Sequence, residues 1–178
     1  MIFSLTLLAA GVVWIGLTAW MAPAPIQATI QAPKEGFLAP DFSLQSLDGR
    51  SYTLGELKGK AIVLNLWTTW CAFCDSEMPA FQAVANSAQA RENVVILAVN
   101  STYQDSETAV AAFVQKHALT FPILMDTTGR VTRSYQVQAL PTTYYIDRQG
   151  VIRNVTIGGP LTEASIQSQI LSLLSQVP

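Results

Sequence analysis

The chain has 178 residues, which is enough for one domain of ordinary size and some additional sequence. Half of the residues are hydrophobic and only 12% are charged, compared with a usual charged fraction of about 25%. The net charge of -2 gives no reason to expect a nucleic acid as a partner.

The first element in chain order is an apolar run over residues 1–22, and the whole region from Met1 to Pro33 has no Asp, Glu, Lys, Arg or His. As a helix this run would span about 33 Å, close to the roughly 30 Å hydrocarbon core of a bilayer. We therefore predict a single transmembrane anchor, or an uncleaved signal, over residues 1–22. A cleaved signal peptide is the alternative, but its apolar stretch is usually shorter and follows basic residues. The residues themselves leave the orientation open.

A tether and then a folded domain are predicted after the apolar run. Residues 23–38 contain three prolines and a glycine, and proline favours an extended backbone, so we predict a Pro-rich tether over this range. One domain is expected over residues 39–178. It begins with a β-hairpin, because Asp48-Gly49 lies between two short alternating runs.

The rest of the predicted domain alternates strands with helices. The remaining elements are, in chain order, a buried strand (Ala61–Trp67), a helix (Cys74 to about Ala90), a buried strand (Asn93–Asn100), a helix (Ser106–Ala118), a short strand (Phe121–Asp126), a short helix (Gly129–Tyr135), two strands that turn at Arg148–Gly150, and a closing helix (Thr162–Val177). This order predicts an α/β fold with a central mixed sheet, mainly parallel with an antiparallel edge, and helices on both faces.

The only two cysteines, Cys71 and Cys74, lie between a predicted buried strand and a predicted helix. A structural disulfide over so short a loop would contribute only about 2 kcal/mol. Structural zinc usually takes four Cys or His ligands, and the single histidine, His117, is distant in sequence, so we predict no metal site. A helix N-terminus stabilises a thiolate, the nucleophile in disulfide exchange. We therefore interpret the two cysteines as a redox pair, with Cys71 as the exposed attacking thiol and Cys74 as the partly shielded resolving thiol.

The segment WTTWCAFCDSEMPAF, at residues 67–81, resembles the active site of the thioredoxin superfamily. More narrowly, it is similar to the TlpA/ResA-like membrane-anchored thiol–disulfide oxidoreductases. Two further segments agree, APDFSLQSLDG at residues 39–49 and ALPTTYYID at residues 139–147. The resemblance covers residues 39–177. It implies a thioredoxin-like fold with an added N-terminal β-hairpin, a redox disulfide between the two cysteines and no cofactor.

The resemblance also implies roles for four residues around the cysteines. Pro141 matches a cis-proline that faces the cysteines, and Leu140 would offer its backbone to an extended substrate. Trp70 is expected to pack beside the pair. Glu77 matches the family pattern C-x-x-C-x-x-E-x-P, and a carboxylate one helical turn after Cys74 could exchange a proton with that thiol. The alternative for Glu77 is a first-turn glutamate that complements the helix dipole.

Two further residues are predicted to have no chemical role. Thioredoxin has a buried Asp six residues before its first cysteine, and this chain has Asn65 there, so that proton relay is expected to be absent. We interpret His117 as a surface or capping residue.

As a function, the resemblance implies an extracytoplasmic thiol–disulfide oxidoreductase that reduces protein disulfides. Its client could be apocytochrome c during cytochrome c maturation, and a CcdA/DsbD-like membrane protein would supply electrons. A monomer held at the cell membrane, with its C-terminal domain on the extracytoplasmic side, is expected. One alternative is a peroxiredoxin-like peroxidase, but in the pattern P-x-x-x-T-x-x-C only Thr68 and Cys71 match, and Leu64 replaces the proline. The other is a non-enzymatic module that binds client proteins.

Overall fold

The computed structural model describes residues 30–87 and 93–175. The predicted transmembrane anchor over residues 1–22 lies outside the described residues, as does the predicted tether up to residue 29. Within the two described ranges, no helix combines the length and the apolar character that crossing a membrane requires.

The described residues form a two-stranded hairpin and a five-stranded sheet with helices packed on it. The strands are β1 (Ser43–Gln45), β2 (Ser51–Thr53), β3 (Ala61–Trp67), β4 (Val94–Asn100), β5 (Ile123–Met125), β6 (Thr142–Ile146) and β7 (Ile152–Ile157). The helices are α1 (Ala72–Asn86), α2 (Glu107–Lys116), α3 (Arg130–Ser134) and α4 (Glu163–Ser175), with short 3-10 turns at Leu54–Leu57 and Thr102–Gln104.

The large sheet has the strand order β5-β4-β3-β6-β7. Strands β3, β4 and β5 are parallel to one another, whereas β6 is antiparallel to both β3 and β7. The predicted mixed sheet is therefore confirmed. This arrangement places the carboxyl end of β3 beside the carboxyl end of β4 and the amino end of β6, which is where the cysteines and Pro141 lie.

Strand β3 is buried along its whole length because it lies at the centre of the sheet with both faces covered. Its side chains alternate between two clusters of core residues. Val63 and Trp67 pack with buried side chains of α1, α2 and α4, whereas Leu64 and Leu66 pack with side chains from α3 and the hairpin region. Helices thus cover both faces, as predicted. Asn65 belongs to the face that α1 covers.

The predicted hairpin at Asp48-Gly49 is confirmed as the turn between β1 and β2. Gly49 has a φ of +81°, a left-handed conformation that glycine adopts without steric cost. The hairpin is attached to the edge of the large sheet, because the Leu47 amide donates to the carbonyl of Ile123 over 2.8 Å. It therefore extends the sheet at β5, far from β7.

Part of the predicted tether belongs to the folded unit. The Gly36 amide donates to the carbonyl of Ile152, and the Ile152 amide donates to the carbonyl of Phe37, at 2.8 and 2.9 Å. Leu38 also forms a bridge with Val151. The segment over residues 30–38 therefore pairs with the start of β7, and the folded unit begins before residue 39.

Helix α1 begins earlier than predicted, at Ala72 instead of Cys74. Cys71 is its N-cap residue, and Pro79 lies inside the helix, which continues to Asn86. The sequence located the helix but not its start, because the residue that caps it is a cysteine, which is not among the usual N-cap residues. The shift places both sulfur atoms at the N-terminal end of α1.

Candidate active site

Cys71 and Cys74 form a disulfide at the N-terminus of α1, with their Cα atoms 5.2 Å apart. The amide of Cys74 donates a hydrogen bond to the Sγ of Cys71 over 3.2 Å. In the reduced protein this N–H group and the positive end of the helix dipole would both stabilise a thiolate on Cys71. The structure thus brings the predicted pair together in the environment that activates the first sulfur.

The two cysteines differ in exposure, although less than predicted. Cys71 is 8% exposed and Cys74 is completely buried. The sequence predicted an openly exposed attacking sulfur. In the disulfide state Cys71 instead lies at the floor of a groove, because Trp70, Phe73 and Leu140 line the same groove around it.

This groove has a volume of about 550 Å³ and mainly apolar walls. Trp70 and Phe73 are 61% and 56% exposed, so two large apolar side chains are held in solvent beside the disulfide. The indole N–H of Trp70 donates to the carbonyl of Gln104 over 3.1 Å, which fixes the ring as one wall. Val137 and Leu140 lie among the lining residues of the loop before β6. Such a groove can hold an extended apolar peptide next to Cys71.

The Leu140–Pro141 peptide bond is cis, which is the conformation that the resemblance implies. The carbonyl of Pro141 accepts a hydrogen bond from the Gly158 amide over 2.8 Å. A Cβ atom on Gly159 would lie 3.0 Å from the Cγ of Pro141, so only glycine allows this close approach without a shift. The loop from Gly158 to Leu161 therefore packs directly on Pro141. Leu140 reaches the groove that contains Cys71, so the structure brings the predicted substrate-binding residues together.

Glu77 is completely buried, three residues after Cys74 on α1. Its Oε1 accepts a hydrogen bond from Asn65 Nδ2 over 2.9 Å, and its Oε2 accepts one from the Leu161 amide over 3.1 Å. Burial raises the pKa of Glu77 to about 7, although the hydrogen bonds from Leu161 and Asn65 oppose the shift. A glutamate that served only the helix dipole would have no need of burial. Its proposed exchange of protons with Cys74 stays a prediction.

Asn65 lies in the middle of β3 and is in direct contact with Glu77, which the sequence did not predict. Asn65 lies six residues before Cys71, where thioredoxin has its buried Asp. Here the carboxyl group that contacts this position belongs to Glu77 on α1. A buried acidic group is therefore present beside the cysteines, at Glu77. No acid lies at position 65 itself, as predicted, and the buried carboxyl group of this site is on α1.

Asp105 holds the segment that leads into the motif, and sequence reasoning missed it. Its carboxylate accepts hydrogen bonds from both the amide and the hydroxyl of Thr69 over 2.7 Å, and from Asn100 Nδ2 over 3.0 Å. Burial alone would raise the pKa of Asp105, but these hydrogen bonds outweigh it and the pKa lies below its ordinary value. Asp105 therefore remains ionised and fixes the position of Thr69 and, through the chain, of Trp70.

His117 is the C-cap residue of α2, so the predicted capping role is confirmed, and its ring also contacts an acidic residue next to the cysteines. Its Nε2 lies 2.5 Å from Asp75 Oδ1, and Lys116 Nζ donates to both oxygens of Asp75 over 3.1 Å. The hydrogen bond from Lys116 is the main reason that the pKa of Asp75 is lowered. The pair Lys116–His117 thus ties the end of α2 to the first turn of α1. Neither range of described residues contains a group of three or more Cys, His, Asp or Glu that could hold a metal ion.

The fold, the disulfide at a helix N-terminus and the cis-proline directly before β6 define a thioredoxin-fold protein with a dithiol active site. The sequence model of the AhpC/TSA family matches residues 36–155, so the chain belongs to the AhpC/TSA family. The thioredoxin-like protein YneN of Bacillus subtilis is 39% identical over 145 residues, which cover 81% of this chain and 84% of YneN. The thiol-disulfide oxidoreductase ResA of Geobacillus thermodenitrificans is 38% identical over 138 residues, 78% of this chain and 77% of that protein.

Solved structures agree with these relatives. StoA from Bacillus subtilis superposes with a TM-score of 0.64 at 28% identity, and covers 73% of this chain and 96% of its own. A thiol:disulfide interchange protein of the thioredoxin family from Chlorobium tepidum has a TM-score of 0.67 at 27% identity, with 78% and 96% covered. The predicted ResA-like assignment is confirmed, and the chain is a thiol–disulfide oxidoreductase.

The peroxiredoxin alternative finds no support in the geometry of the site. Its pattern requires a proline where this chain has Leu64, and Leu64 lies inside the central strand β3. A proline there would remove a hydrogen bond of the sheet. Leu64 is therefore part of the central strand, which ends at Trp67, and not of the turn that leads to Cys71.

The pKa of Glu77 predicts how the stability of the oxidised protein depends on pH. A pKa raised from 4.5 to about 7 means that the folded state binds this proton more tightly than the unfolded state does. The contribution of Glu77 to stability is thus fully present below pH 4.5 and is lost as the pH rises through 7. The expected loss is about 3 kcal/mol.

Urea unfolding of the oxidised wild type and of Glu77→Gln at several pH values between 4 and 8.5 measures this loss. The wild-type free energy of unfolding should fall across that range relative to the variant, whose residue 77 does not titrate. Equal pH dependence in the two proteins would show that Glu77 titrates normally. Glu163→Gln is the matched control, because Glu163 lies in the exposed first turn of α4.

Proposed function

We propose that this chain is a membrane-anchored reductant of protein disulfides that works on the extracytoplasmic side of the cell membrane. One observation carries the proposal, namely the cysteine pair that caps α1 at the floor of an apolar groove beside Leu140 and cis-Pro141. This arrangement presents one sulfur to an extended peptide and keeps the other out of its reach. It therefore favours disulfide exchange in which the two cysteines have different roles.

The reaction begins with the reduced pair. The Cys71 thiolate attacks one sulfur of the client disulfide, forms a mixed disulfide and releases the other client sulfur as a thiolate. Cys74 then loses its proton and attacks the Sγ of Cys71, which releases the second client thiolate and forms the Cys71–Cys74 disulfide. The two client thiolates take up protons. Two electrons have passed from the dithiol to the client, and a further donor must reduce the new disulfide.

Glu77 supports the second step of this sequence. Cys74 is buried, so its proton needs an acceptor inside the protein, and Glu77 lies one helical turn further on. Because its pKa is about 7, Glu77 can accept a proton and release it again near neutral pH. The groove leaves solvent access to Cys71 only.

The charges around the pair favour reduction over oxidation of the client. A negative charge on Glu77 would disfavour a thiolate on the neighbouring Cys74 by like-charge repulsion. Since a thiolate exists only in the reduced protein, this repulsion makes the dithiol a better electron donor. The helix N-terminus acts in the opposite direction on Cys71, because it stabilises the thiolate there. We infer that the negative charge of ionised Glu77 keeps the potential at the reducing end.

A redox titration of the domain tests the direction of electron flow. We expect a reduction potential near that of thioredoxin, about -270 mV, and not near the about -120 mV of a strong oxidant. Equilibration with defined mixtures of reduced and oxidised dithiothreitol, followed by alkylation of free thiols, measures it. A value at the oxidising end would reject the reductant role and leave the exchange chemistry in place.

The proposed client is the oxidised haem-binding cysteine pair of apocytochrome c, an unfolded chain that can lie extended in the groove. The resemblance to TlpA/ResA-like proteins and the apolar walls formed by Trp70, Phe73 and Leu140 support this choice. A CcdA/DsbD-like membrane protein is the proposed electron donor. We propose that the protein acts as a monomer, with one groove for each catalytic centre.

Replacing Cys74 with Ser tests both the mechanism and the client. In Cys74→Ser the mixed disulfide on Cys71 cannot be resolved, so covalent complexes should accumulate in cells and disappear on reduction. Mass spectrometry of these complexes identifies the client, and cytochrome c chains are expected. Cys71→Ser is the control and should trap nothing. Retained client binding without turnover in Cys71→Ser, with no trapped complex in Cys74→Ser, would favour the non-enzymatic module.

Anchoring and location are tested by labelling in intact cells. The apolar run over residues 1–22 supports a single membrane span with the domain outside, where a membrane-impermeant maleimide reaches the thiols. After mild reduction we expect Cys71 to be labelled, and the full-length chain to fractionate with membranes. Protection of Cys71 until the cells are lysed would place the domain in the cytoplasm and contradict the proposed location.

A further inference from the structure

We propose that the side-chain amide of Asn65 is a positioning group, and that its orientation changes with the protonation state of Glu77. It donates from Nδ2 to the Glu77 carboxylate and rotates by half a turn to accept through Oδ1 from the protonated carboxyl. The inference deepens the proposed function, because it rests on Glu77 as the proton acceptor of Cys74. It gives a chemical role to the residue that replaces the acid of thioredoxin.

The contacts of Asn65 are one-sided in the structure. Its Nδ2 donates both to Glu77 Oε1 over 2.9 Å and to Thr143 Oγ1 over 3.0 Å. Its Oδ1 is buried and has no hydrogen-bond partner within residues 30–87 and 93–175. A buried acceptor without a partner is destabilising, so this orientation needs a compensating interaction. The charge-assisted bond to an ionised Glu77 provides it.

The other oxygen of Glu77 determines where a proton can be bound. Oε2 accepts the Leu161 amide, and a backbone N–H cannot change into an acceptor. An incoming proton therefore resides on Oε1, which faces Asn65. Two donors would then oppose each other, because Nδ2 and the new O–H group both need an acceptor. Exchange of Oδ1 and Nδ2 by rotation removes this conflict without changing the volume of the side chain.

Thr143 allows either orientation of the amide. Asn65 and Thr143 are directly paired across the antiparallel strands β3 and β6, so their side chains lie on the same face. A hydroxyl group both donates and accepts, so Thr143 accepts from Nδ2 in one state and donates to Oδ1 in the other. The preference between the two orientations is then set by Glu77.

The surroundings of Glu77 leave few other proton partners. A Cβ atom on Gly159 would lie 2.7 Å from Glu77 Oε2, so the loop backbone covers the carboxyl group closely. On α1, Asp75 is bound by Lys116 and His117, and on β6 the hydroxyl of Tyr144 donates to the carbonyl of Tyr135. Among the described residues of these two elements, this leaves Cys74 and the buried hydroxyl of Tyr145 as the titratable groups for Glu77. Burial raises the pKa of Tyr145, and the charge of Glu77 raises it further, so Tyr145 stays neutral. Cys74 is therefore the group that exchanges a proton with Glu77.

In the resolving step the proton passes from the Cys74 thiol to the Glu77 carboxylate, which gives a thiolate and a neutral carboxyl group. No electron moves in this transfer. Rotation of Asn65 then stabilises the protonated carboxyl, while the negative charge beside the attacking sulfur has been removed. The amide thereby makes proton uptake by Glu77 easier than it would be beside a fixed donor.

Nuclear magnetic resonance of the oxidised protein tests the rotation directly. The Glu77 carboxyl carbon and the Asn65 side-chain N–H₂ group are followed between pH 5 and 9 with selectively labelled protein. We expect both to change with one common midpoint near the Glu77 pKa of about 7. Unchanged Asn65 signals across the titration of Glu77 would overturn the proposal. Asn100 is an internal control, because its Nδ2 donates to Asp105, whose pKa is lowered and which stays ionised.

Two variants separate this inference from the proposed function. Asn65→Leu removes the partner of Glu77 in both protonation states, but the bond to the carboxylate is charge-assisted and therefore the stronger of the two. The pH midpoint for release of the client from Cys71 should thus move upward, and an unmoved midpoint would argue against Asn65. Glu77→Gln should abolish the common midpoint and the pH dependence of release. If release in Glu77→Gln keeps the wild-type pH dependence, the proton-acceptor role of Glu77 is wrong, while the wild-type Asn65 signals still decide the rotation.

Discussion

Burial of one carboxyl group between the central strand and helix α1 is the constraint on which the active site depends. An ionised carboxylate inside a protein is costly unless hydrogen bonds compensate for its lost hydration. Glu77 obtains one such bond from Asn65 and one from the Leu161 amide. These two bonds require the strand, the helix and the loop before α4 to meet at one point. The same loop packs on cis-Pro141 through Gly159, so the proposed proton acceptor and the proposed peptide-binding edge are positioned together.

The two cysteines experience opposite electrostatic influences although they are three residues apart. Cys71 has the helix N-terminus and the Cys74 amide, both of which favour a thiolate. Cys74 has a buried carboxyl group one turn further on, and no exposure to water. The proposed reduction of a client disulfide needs this difference. Cys71 must be nucleophilic in the free reduced protein, whereas Cys74 must become nucleophilic only after the mixed disulfide has formed. The first turn of α1 creates this electrostatic difference between the two cysteines.

The features that the sequence predicted correctly depend on neighbouring residues. The apolar run of β3, the Asp48-Gly49 turn and the cysteine spacing are all local patterns, and each is found in the structure. The contacts that were missed join distant segments, such as Thr69 with Asp105 and Asp75 with His117. No periodicity relates such residues, because their proximity results from how α1 and α2 pack on the sheet. The resemblance supplied the cis conformation at Pro141, which neither composition nor spacing predicts.

Asn65 shows how the chemistry of a site can be retained while its residues change. Thioredoxin has an acid on the strand, whereas here the strand has an amide and the helix has the acid. Two buried carboxylates at this distance would repel each other, and one of them would be forced into its neutral form. An amide instead offers a donor and an acceptor at almost the same volume, so it can partner a carboxyl group in both of its protonation states. With the acid at position 77, an amide at position 65 is the side chain that fits the proposed proton transfer without adding a second charge.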